Sequence, residues 1–165
     1  MTAASSQQLT AAVITVSDSC SRGERKDLSG PAVAQALVEA GYQIVLRETV
    51  PDCIGDIVVA LRRAVQHSIR LLVTTGGTGI SASDVTPEAT EQVCERLLPG
   101  VAELMRAAGQ LQTPTAVLSR GLCGAVETSL IVNLPGSPRG AVDSLKIALP
   151  VIPHALDLLA GKTQH

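Results

Sequence analysis

The sequence predicts an α/β fold, a three-layer αβα arrangement in which helices cover both faces of a mostly parallel sheet. Along the 165-residue chain, apolar runs of strand length alternate with segments whose apolar residues have helical spacing. This alternation is typical of parallel sheets, because each parallel pair needs a crossover that is usually helical. Hydrophobic residues make up 45% of the chain, which is enough for one core of ordinary size. The core must be aliphatic, since there is no Trp, no Phe and one Tyr.

The first half of the chain predicts three strands with helices between them. Gly30-Pro31 begins the first helix and Gly41 ends it, because Pro suits the first helical turn and Gly the end. In chain order we predict a buried strand at 11–16, a charged loop at 19–28, a helix at 30–40, a strand at 42–50, a helix across 57–65 and a strand at 69–75.

The second half continues the alternation. We predict helices at 87–98 and 101–108, strands at 115–118 and 130–134, a helix from about 139 and a last helix at 153–159. The strand pair around 115–134 leaves room for an antiparallel member. There is no repeat, linker or low-complexity stretch, so we expect a loose tail at 1–8 and one domain at 9–165.

Composition excludes several classes of function. A net charge of −2 argues against general nucleic-acid binding, which needs concentrated positive charge. No apolar run approaches the roughly 20 residues that cross a membrane. Four scattered cysteines without a CxxC pair indicate reduced thiols and a cytoplasmic protein. With almost no aromatic side chain, a flat heterocycle would be bound by backbone amides, polar side chains and aliphatic walls.

The most informative segment is the glycine-rich loop after the third strand. Thr75-Gly76-Gly77-Thr78-Gly79 follows an apolar run and precedes a helix that begins near Thr86-Pro87. A strand, a glycine loop and a helix together place backbone N–H groups around an anion. Residues 77–82 formally match the dinucleotide fingerprint, but that motif requires the helix to start within the glycines. There is no P-loop motif either.

Four strand ends carry polar or glycine-rich residues. They are Ser17-Asp18, Pro51-Asp52, Thr75 to Asp84, and Asn133 to Ser137. Each alone is compatible with an ordinary turn. Together they predict a ligand site, because open α/β sheets bind ligands at the carboxyl ends of their strands.

Asp52 and Asp84 form the candidate metal centre. Two carboxylates at neighbouring strand ends suit one Mg²⁺, which prefers carboxylates, water and substrate phosphates. The basic residues Arg22, Arg25 and Lys26 stand in a loop that is able to cover such phosphates. A charged loop is more often simply solvated, so both interpretations stay open.

These motifs resemble the MoaB/Mog family of molybdenum cofactor biosynthesis, which includes the gephyrin G domain. The resemblance is carried by the glycine loop at 75–79 and by Asp84-Val85-Thr86-Pro87-Glu88-Ala89-Thr90. Further matches follow in order at Ser17-Asp18, Asp27-x-Ser29-Gly30-Pro31, Val50-Pro51-Asp52, Leu118-Ser119-Arg120 and Asn133-Leu134-Pro135-Gly136-Ser137.

The resemblance implies a homotrimer with a molybdopterin-binding-domain fold and a molybdopterin site at the strand ends. It further implies adenylyl transfer from Mg-ATP to the terminal phosphate of molybdopterin, with release of pyrophosphate and handover to a molybdenum insertion protein. Asp52 and Asp84 match the family's catalytic and metal-binding aspartates. The expected binding residues are Ser17, Asp18, Gly30, Thr75, Gly76, Gly77, Thr78, Gly79, Thr86, Ser119, Pro135, Gly136 and Ser137.

The chain departs from the family pattern after Cys123-Gly124. The active branch commonly has an Ile-Arg-Gly run there, whereas this chain has Ala125-Val126-Glu127. We expect Glu127 to lie near an anionic pterin and to weaken its binding. The alternative function is therefore a non-catalytic molybdopterin carrier or scaffold. A purely structural trimer is a third interpretation, which leaves the four strand-end motifs without a role.

Overall fold

A computed structural model describes residues 9–162. Its centre is a six-stranded sheet in the order β2-β1-β3-β6-β5-β4. The neighbouring strands β2, β1, β3 and β6 are parallel, while β5 is antiparallel to both of its neighbours, β6 and β4. The strands are β1 Thr10–Val16, β2 Gln43–Val50, β3 Leu71–Thr75, β4 Arg96–Leu97, β5 Cys123–Val126 and β6 Ser129–Leu134.

Helices cover both faces of this sheet, which confirms the predicted fold class. Alternate residues of β1 pack into different apolar clusters, with Ala11 and Val13 on one face and Ala12 and Ile14 on the other. The first cluster includes residues of α2, α5, α6 and α7, and the second includes residues of α3 and α4. The helices are α1 Asp18–Ser21, α2 Ser29–Glu39, α3 Ile54–Gln66, α4 Thr86–Val93, α5 Pro99–Gly109, α6 Pro138–Ala148 and α7 Ile152–Leu159.

Three details correct the sequence predictions. Residues 115–118 are not a strand but belong to a 3-10 helix, Pro114–Leu118. The helix predicted at 87–98 ends at Val93, because Cys94 adopts an extended conformation and Arg96–Leu97 join the sheet as β4. Part of the charged loop at 19–28 forms the short helix α1.

Both β4 and β5 escape sequence prediction because they are short and are defined by their partners. Arg96 and Leu97 pair with Ala125 and Gly124. A β-carbon at Gly124 would collide with the side chain of Cys94, so the close approach of the two segments depends on this glycine. The antiparallel member that the sequence left open is therefore β5.

The four cysteines are free thiols, as the sequence predicts. Burial raises the pKa of Cys94 to about 11. The predicted tail at 1–8 lies outside the described residues. Within residues 9–162, no helix combines the length and apolar character needed to span a membrane.

The parallel register places the four polar strand ends side by side. Val16 at the end of β1 pairs with Val50 of β2, and Thr15 pairs with Thr75 of β3. Thr75 in turn pairs with Leu134 at the end of β6. The segments that follow these strands therefore meet at one edge of the sheet.

Candidate active site

The glycine loop after β3 takes a shape that side chains would prevent. Gly76 and Gly77 have positive φ values of 102° and 66°. A β-carbon at Gly76 would meet the carbonyl oxygen of Val16, and one at Gly77 would meet Oγ1 of Thr86. Thr86 Oγ1 donates to the Gly76 carbonyl at 2.8 Å. The loop therefore packs directly against the end of β1 and the start of α4.

Three backbone donors of this loop lack an acceptor among the described residues, whereas the Gly76 amide donates to the Leu134 carbonyl at 3.1 Å. Within residues 9–162, the amides of Gly77, Thr78 and Gly79 donate no hydrogen bond to the protein. In contrast, the carbonyls of the same residues all accept hydrogen bonds. The Gly77 carbonyl accepts from the Thr86 amide. The Thr78 carbonyl accepts from the amide of Arg120 and the Gly79 carbonyl from its Nε. Three consecutive amides without a protein acceptor suit the binding of an anion.

Asp18 and Asp52 hold each other in place through their backbones. The Asp18 amide donates to Oδ2 of Asp52 at 2.9 Å, and the Asp52 amide donates to Oδ1 of Asp18 at 2.9 Å. Because two carboxylates are thereby fixed side by side, each restricts where the other can move. The first and second strand ends are joined by this reciprocal pair.

Asp52 lies within the electrostatic influence of two other carboxylates at this edge. Burial raises the pKa of Asp52 above its ordinary value, and the charges of Asp18 and Asp84 raise it further. The hydrogen bond from the Asp18 amide opposes this rise. Asp84 orients its own carboxylate through Ser81, whose amide and hydroxyl donate to Oδ2 at 3.0 and 2.8 Å. Among the described residues Asp52 forms no ion pair, and a region of concentrated negative charge favours a cationic ligand.

Two clefts lie on either side of the glycine loop. The carboxylate cleft has a volume of about 470 Å³ and includes Asp27, Asp52, Asp84, Arg25 and Lys26 in its walls. The wide cleft has a volume of about 680 Å³ and extends between α5, the 3-10 helix and α6. The residues common to both walls are Gly77, Asp84, Gly136 and Ser137. Groups bound in the two clefts would therefore meet at the glycine loop.

Most of the predicted site residues line these clefts. Thr78, Gly79, Ser119 and Pro135 line the wide cleft. Ser17, Thr75 and Gly76 line the carboxylate cleft. Thr75 is fully buried, and its hydroxyl donates to the Pro135 carbonyl at 2.7 Å, which ties the third strand end to the fourth.

Asp18, Gly30 and Thr86 lie behind the cleft walls instead. Asp18 acts on the cleft through Asp52. Thr86 is fully buried, and its hydroxyl supports the glycine loop by donating to the Gly76 carbonyl. A β-carbon at Gly30 would collide with the carboxylate of Asp27, so this glycine makes room for that residue. Sequence alone does not separate these supporting residues from those that face a ligand.

Asp27 is a fourth carboxylate that sequence reasoning used as part of a motif but not as a site residue. Its Oδ2 accepts from the Thr15 hydroxyl at 2.7 Å, and its Oδ1 accepts from the Gly30 amide at 2.9 Å. These bonds fix the start of α2 at the wall of the carboxylate cleft. The available signal was the spacing Asp27-x-Ser29, which is typical of a helix start.

The basic loop is divided between solvent and cleft. Arg22 pairs with Glu24 on the exposed surface, the two side chains joined by bonds of 2.8 and 3.0 Å. Arg25 and Lys26 line the carboxylate cleft. Of the three basic residues, two are therefore placed to meet an anionic ligand.

The wide cleft has a mixed wall. Arg106 of α5 donates through Nη1 to the carbonyls of Ser119 and Gly121 at 3.3 and 3.1 Å. Met105 is buried beside it, whereas Leu104 and Leu111 are exposed. The apolar residues on this side thus divide between core and surface.

Glu127 corrects a sequence expectation. It follows β5, whose last residue Val126 pairs with Ser129 at the start of β6. Because the glycine loop stands beside the opposite end of β6, Glu127 lies at the other edge of the sheet. Its amide donates to Oε2 of Glu95, and its φ of 50° belongs to the turn between β5 and β6. The departure from the family pattern therefore does not bring a negative charge to the site.

Arg120 and Asn133 are supporting residues that sequence reasoning placed in motifs but did not assign to the site. Asn133 is buried and donates to the hydroxyls of Thr74 and Thr90 at 3.0 and 2.9 Å, while its Oδ1 accepts from the Leu122 amide at 3.0 Å. Arg120 hydrogen-bonds to the glycine loop. A buried polar residue inside an apolar strand was the one available signal for Asn133.

The carboxylates fit a magnesium ion that is shared with a substrate. In residues 9–162, no group of three or more His, Cys, Asp or Glu side chains is arranged to hold a metal by itself. Oδ1 of Asp52 takes no hydrogen bond from the described residues and faces Gly77. Mg²⁺ usually takes one or two carboxylates and fills its other positions with water and phosphate oxygens. Asp52 and Asp84 provide such a donor set.

The fold and site together define an α/β protein whose glycine loop, with three amides free of protein acceptors, lies between a carboxylate cleft and a wide cleft within residues 9–162. The family model described as "Probable molybdopterin binding domain" matches residues 12–154. The chain therefore belongs to the molybdopterin-binding domain family, which confirms the resemblance predicted from its motifs.

Named relatives agree with this assignment. A molybdopterin adenylyltransferase of Helicobacter pylori is 41% identical over 156 residues, covering 90% of this chain and 86% of its own length. A crystal structure of the molybdopterin biosynthesis enzyme MoaB of Thermus thermophilus superimposes with a TM-score of 0.88 at 45% identity, covering 93% of this chain and 98% of that one. The tungsten cofactor synthesizing protein MoaB of Pyrococcus furiosus gives a TM-score of 0.85 at 30% identity, covering 93% and 98%.

Proposed function

We propose that this protein is a molybdopterin adenylyltransferase that transfers the adenylyl group of Mg-ATP to the terminal phosphate of molybdopterin. The observation that carries the proposal is the pair of clefts that meet at Gly77, Asp84, Gly136 and Ser137. A transfer between two substrates needs two binding regions whose reacting groups meet at one place. The 41% identical molybdopterin adenylyltransferase of Helicobacter pylori supports the same reaction.

In this proposal ATP places its triphosphate in the carboxylate cleft. Arg25 and Lys26 line that cleft and offer positive charge to phosphate oxygens. Asp52 and Asp84 would hold Mg²⁺ between their carboxylates and the triphosphate. When bound, Mg²⁺ neutralises the negative charge that develops on the pyrophosphate leaving group.

Molybdopterin then occupies the wide cleft, with its phosphate directed toward the glycine loop. Ser119 and Pro135 line this cleft, and the unpaired amides of residues 77–79 are available to the phosphate oxygens. No aromatic side chain is available for stacking, because the one aromatic residue, Tyr42, is buried in the core. The pterin must therefore be recognised by amides, polar side chains and aliphatic contacts.

The chemistry joins the two clefts. An oxygen of the molybdopterin phosphate attacks the α-phosphorus of ATP, and the bond from that phosphorus to the oxygen bridging the α- and β-phosphates breaks. The products are adenylylated molybdopterin and pyrophosphate. The amides of the glycine loop stabilise the crowded anionic oxygens, and Asp18 keeps Asp52 in position through the two backbone hydrogen bonds.

The alternative of a non-catalytic carrier loses its main argument. That argument was the negative charge of Glu127, which lies at the opposite edge of the sheet. We further propose that residues 9–165 form one domain, that the protein acts in the cytoplasm as a homotrimer, and that it passes its product to a molybdenum insertion protein. The free cysteines and the family resemblance support these points.

The deciding experiment measures pyrophosphate release by the purified protein with Mg-ATP, with and without molybdopterin. We expect release that depends on molybdopterin and that falls by about 10²-fold or more in Asp84→Ala, since this removes a charged ligand of the proposed metal. Asp157→Ala is the matched control, because Asp157 lies in α7 and pairs with Lys162 away from both clefts.

Either of two results would reject the assignment. One is the absence of pyrophosphate release by a wild-type protein that binds molybdopterin, which would support the carrier. The other is full activity of Asp84→Ala with an unchanged circular dichroism spectrum.

A further inference from the structure

Arg120 makes an unusual set of contacts beside the glycine loop. Its amide donates to the Thr78 carbonyl at 2.7 Å. Its side chain donates from Nε to the Gly79 carbonyl at 2.7 Å and from Nη2 to the Asp84 carbonyl at 2.7 Å. Nη1 forms an ion pair with the carboxylate of Glu88 in α4. One guanidinium group thus joins both ends of the loop at 79–84 to the first turn of the following helix.

The loop at 79–84 has few other attachments. The side chains of residues 80–83 are all exposed, including Ile80, which is 72% exposed. Hydrogen bonds among Ser81, Ser83 and Asp84 shape the loop internally but do not connect it to the rest of the protein. Among the described residues, Arg120 is the single hydrogen-bonding partner of 79–84 that lies outside that loop.

Every nitrogen of the guanidinium group takes part in these contacts. Nε, Nη1 and Nη2 each have an acceptor in the protein. The hydrogen bond and charge of Arg120 also lower the pKa of Glu88, so the ion pair is complete at neutral pH. A guanidinium whose three nitrogens are occupied is a poor candidate for a direct phosphate ligand.

We propose that Arg120 is a positioning residue that clamps the loop at 79–84 and thereby sets the place of the Asp84 carboxylate between the two clefts. Its catalytic consequence depends on the proposed adenylyl transfer, whereas its effect on the loop does not. Asp84 is carried by a loop without buried side chains at 80–83, so its position depends on the bonds at the two ends of the loop. Small displacements of a reacting group reduce turnover strongly, by about 10²-fold for roughly 1 Å.

Lysine cannot replace arginine in this role. The clamp needs donors directed at two carbonyls and one carboxylate at the same time. The planar guanidinium offers five such donors in a fixed arrangement, whereas an ammonium is a compact point charge. Arg120→Lys therefore separates the positive charge of Arg120 from its geometry.

The first test is kinetic. We expect Arg120→Lys and Arg120→Ala each to reduce kcat by about 10²-fold, with KM for ATP and for molybdopterin changed by less than about threefold. Guanidinium chloride, far below denaturing concentrations, should restore part of kcat in Arg120→Ala but none in Asp84→Ala. Glu88→Gln should reduce kcat less than Arg120→Lys does, because the contacts of Arg120 with the Gly79 and Asp84 carbonyls stay in place.

The second test needs no activity. Hydrogen–deuterium exchange of a peptide covering 79–85 should accelerate by about tenfold in Arg120→Lys relative to the wild type. Arg62→Lys is the control, because Arg62 also donates from Nη2 to a carbonyl, that of Gln92, but at the C-terminal end of α4, away from the loop at 79–84. The exchange of 79–85 should be unchanged in this control.

The outcomes are distinguishable. Unchanged exchange in Arg120→Lys, or a kcat that stays near the wild-type value, would overturn the clamp. A raised KM for molybdopterin with an unchanged kcat would instead identify Arg120 as a substrate contact and also overturn it. If the wild type releases no pyrophosphate, the proposed function fails, and the exchange comparison still decides the role of Arg120.

Discussion

The two edges of the parallel sheet, where the strands begin and where they end, differ in how their polar groups are hydrogen-bonded. At the edge where the strands begin, Ser129 donates to the Ile69 carbonyl at 2.7 Å. Arg70 there donates to the carbonyls of Thr128 and Leu156 at 2.9 and 2.6 Å. At the edge where the strands end, three successive loop amides have no acceptor among residues 9–162, and Asp52 lies within the electrostatic influence of two other carboxylates.

This contrast shows which edge is built for a ligand. Polar groups inside proteins normally find partners, and like charges normally stay apart. At the first edge the contacts of Ser129 and Arg70 serve stability, and the buried Tyr42 hydroxyl is the exception that has no hydrogen-bond partner among the described residues. The second edge breaks both rules in one place, which is typical of sites where function opposes stability. The predictions below change one edge or the other, in order of decreasing expected effect.

The largest effect is expected from Asp52→Asn. Turnover should fall by about 10²–10³-fold, because the neutral amide removes a charged ligand of the proposed metal while keeping the size of the side chain. The amide oxygen can still accept from the Asp18 backbone, so the fold should be retained. Steady-state pyrophosphate release measures the effect, and activity within about twofold of wild type would remove Asp52 from the mechanism.

The same substitution should raise stability at neutral pH. Because the pKa of Asp52 is raised in the folded protein, the wild type loses stability as the pH rises through that folded value. Asparagine does not titrate, so its advantage in melting temperature should be present at pH 7 and shrink below the folded pKa. Because water screens this half-exposed group, we expect the stability of the variant to exceed that of the wild type by less than about 1 kcal/mol. Melting temperatures of both proteins measured from acid to neutral pH test this. A difference in melting temperature that grows toward acid pH would contradict the prediction.

The next effect is expected from Gly77→Ala. The positive φ and the collision with Thr86 Oγ1 should cost about 2–4 kcal/mol of unfolding free energy. Gly161→Ala is the matched control, because Gly161 has a similar φ of 77° but open space around a β-carbon. Gly161→Ala should lower the unfolding free energy by about 1 kcal/mol. Urea unfolding compares the two, and equal costs would show that space around Gly77 does not matter.

The smallest effect is expected from Glu127→Arg. Glu127 lies at the edge away from both clefts, so reversing its charge should change kcat and KM for molybdopterin by less than about twofold. Unfolding free energy should change by less than about 0.5 kcal/mol, as at other exposed positions. A KM for molybdopterin that falls severalfold would instead restore the original expectation that Glu127 opposes the pterin.

Local patterns predicted the elements that have strong local signals. The buried strands at 11–16 and 69–75 were predicted within two residues of β1 and β3, because an apolar run between turn residues has few alternatives. The helix beginning at Gly30-Pro31 was predicted for a similar reason. By contrast, β4 has two residues and gains its identity from pairing with β5. No local sequence pattern predicts such a pairing.

The sequence by itself determined the fold class and placed the glycine loop, Asp52 and Asp84 after strands, because spacing and residue type express these features within short stretches of chain. The tertiary structure alone decided which residues line the two clefts and which support them from behind. It placed Thr86 behind the loop, Glu127 at the opposite edge and Arg120 across the ends of the loop at 79–84. The physical reason is that these roles depend on contacts between segments distant along the chain, whose geometry is set by the register of the parallel strands.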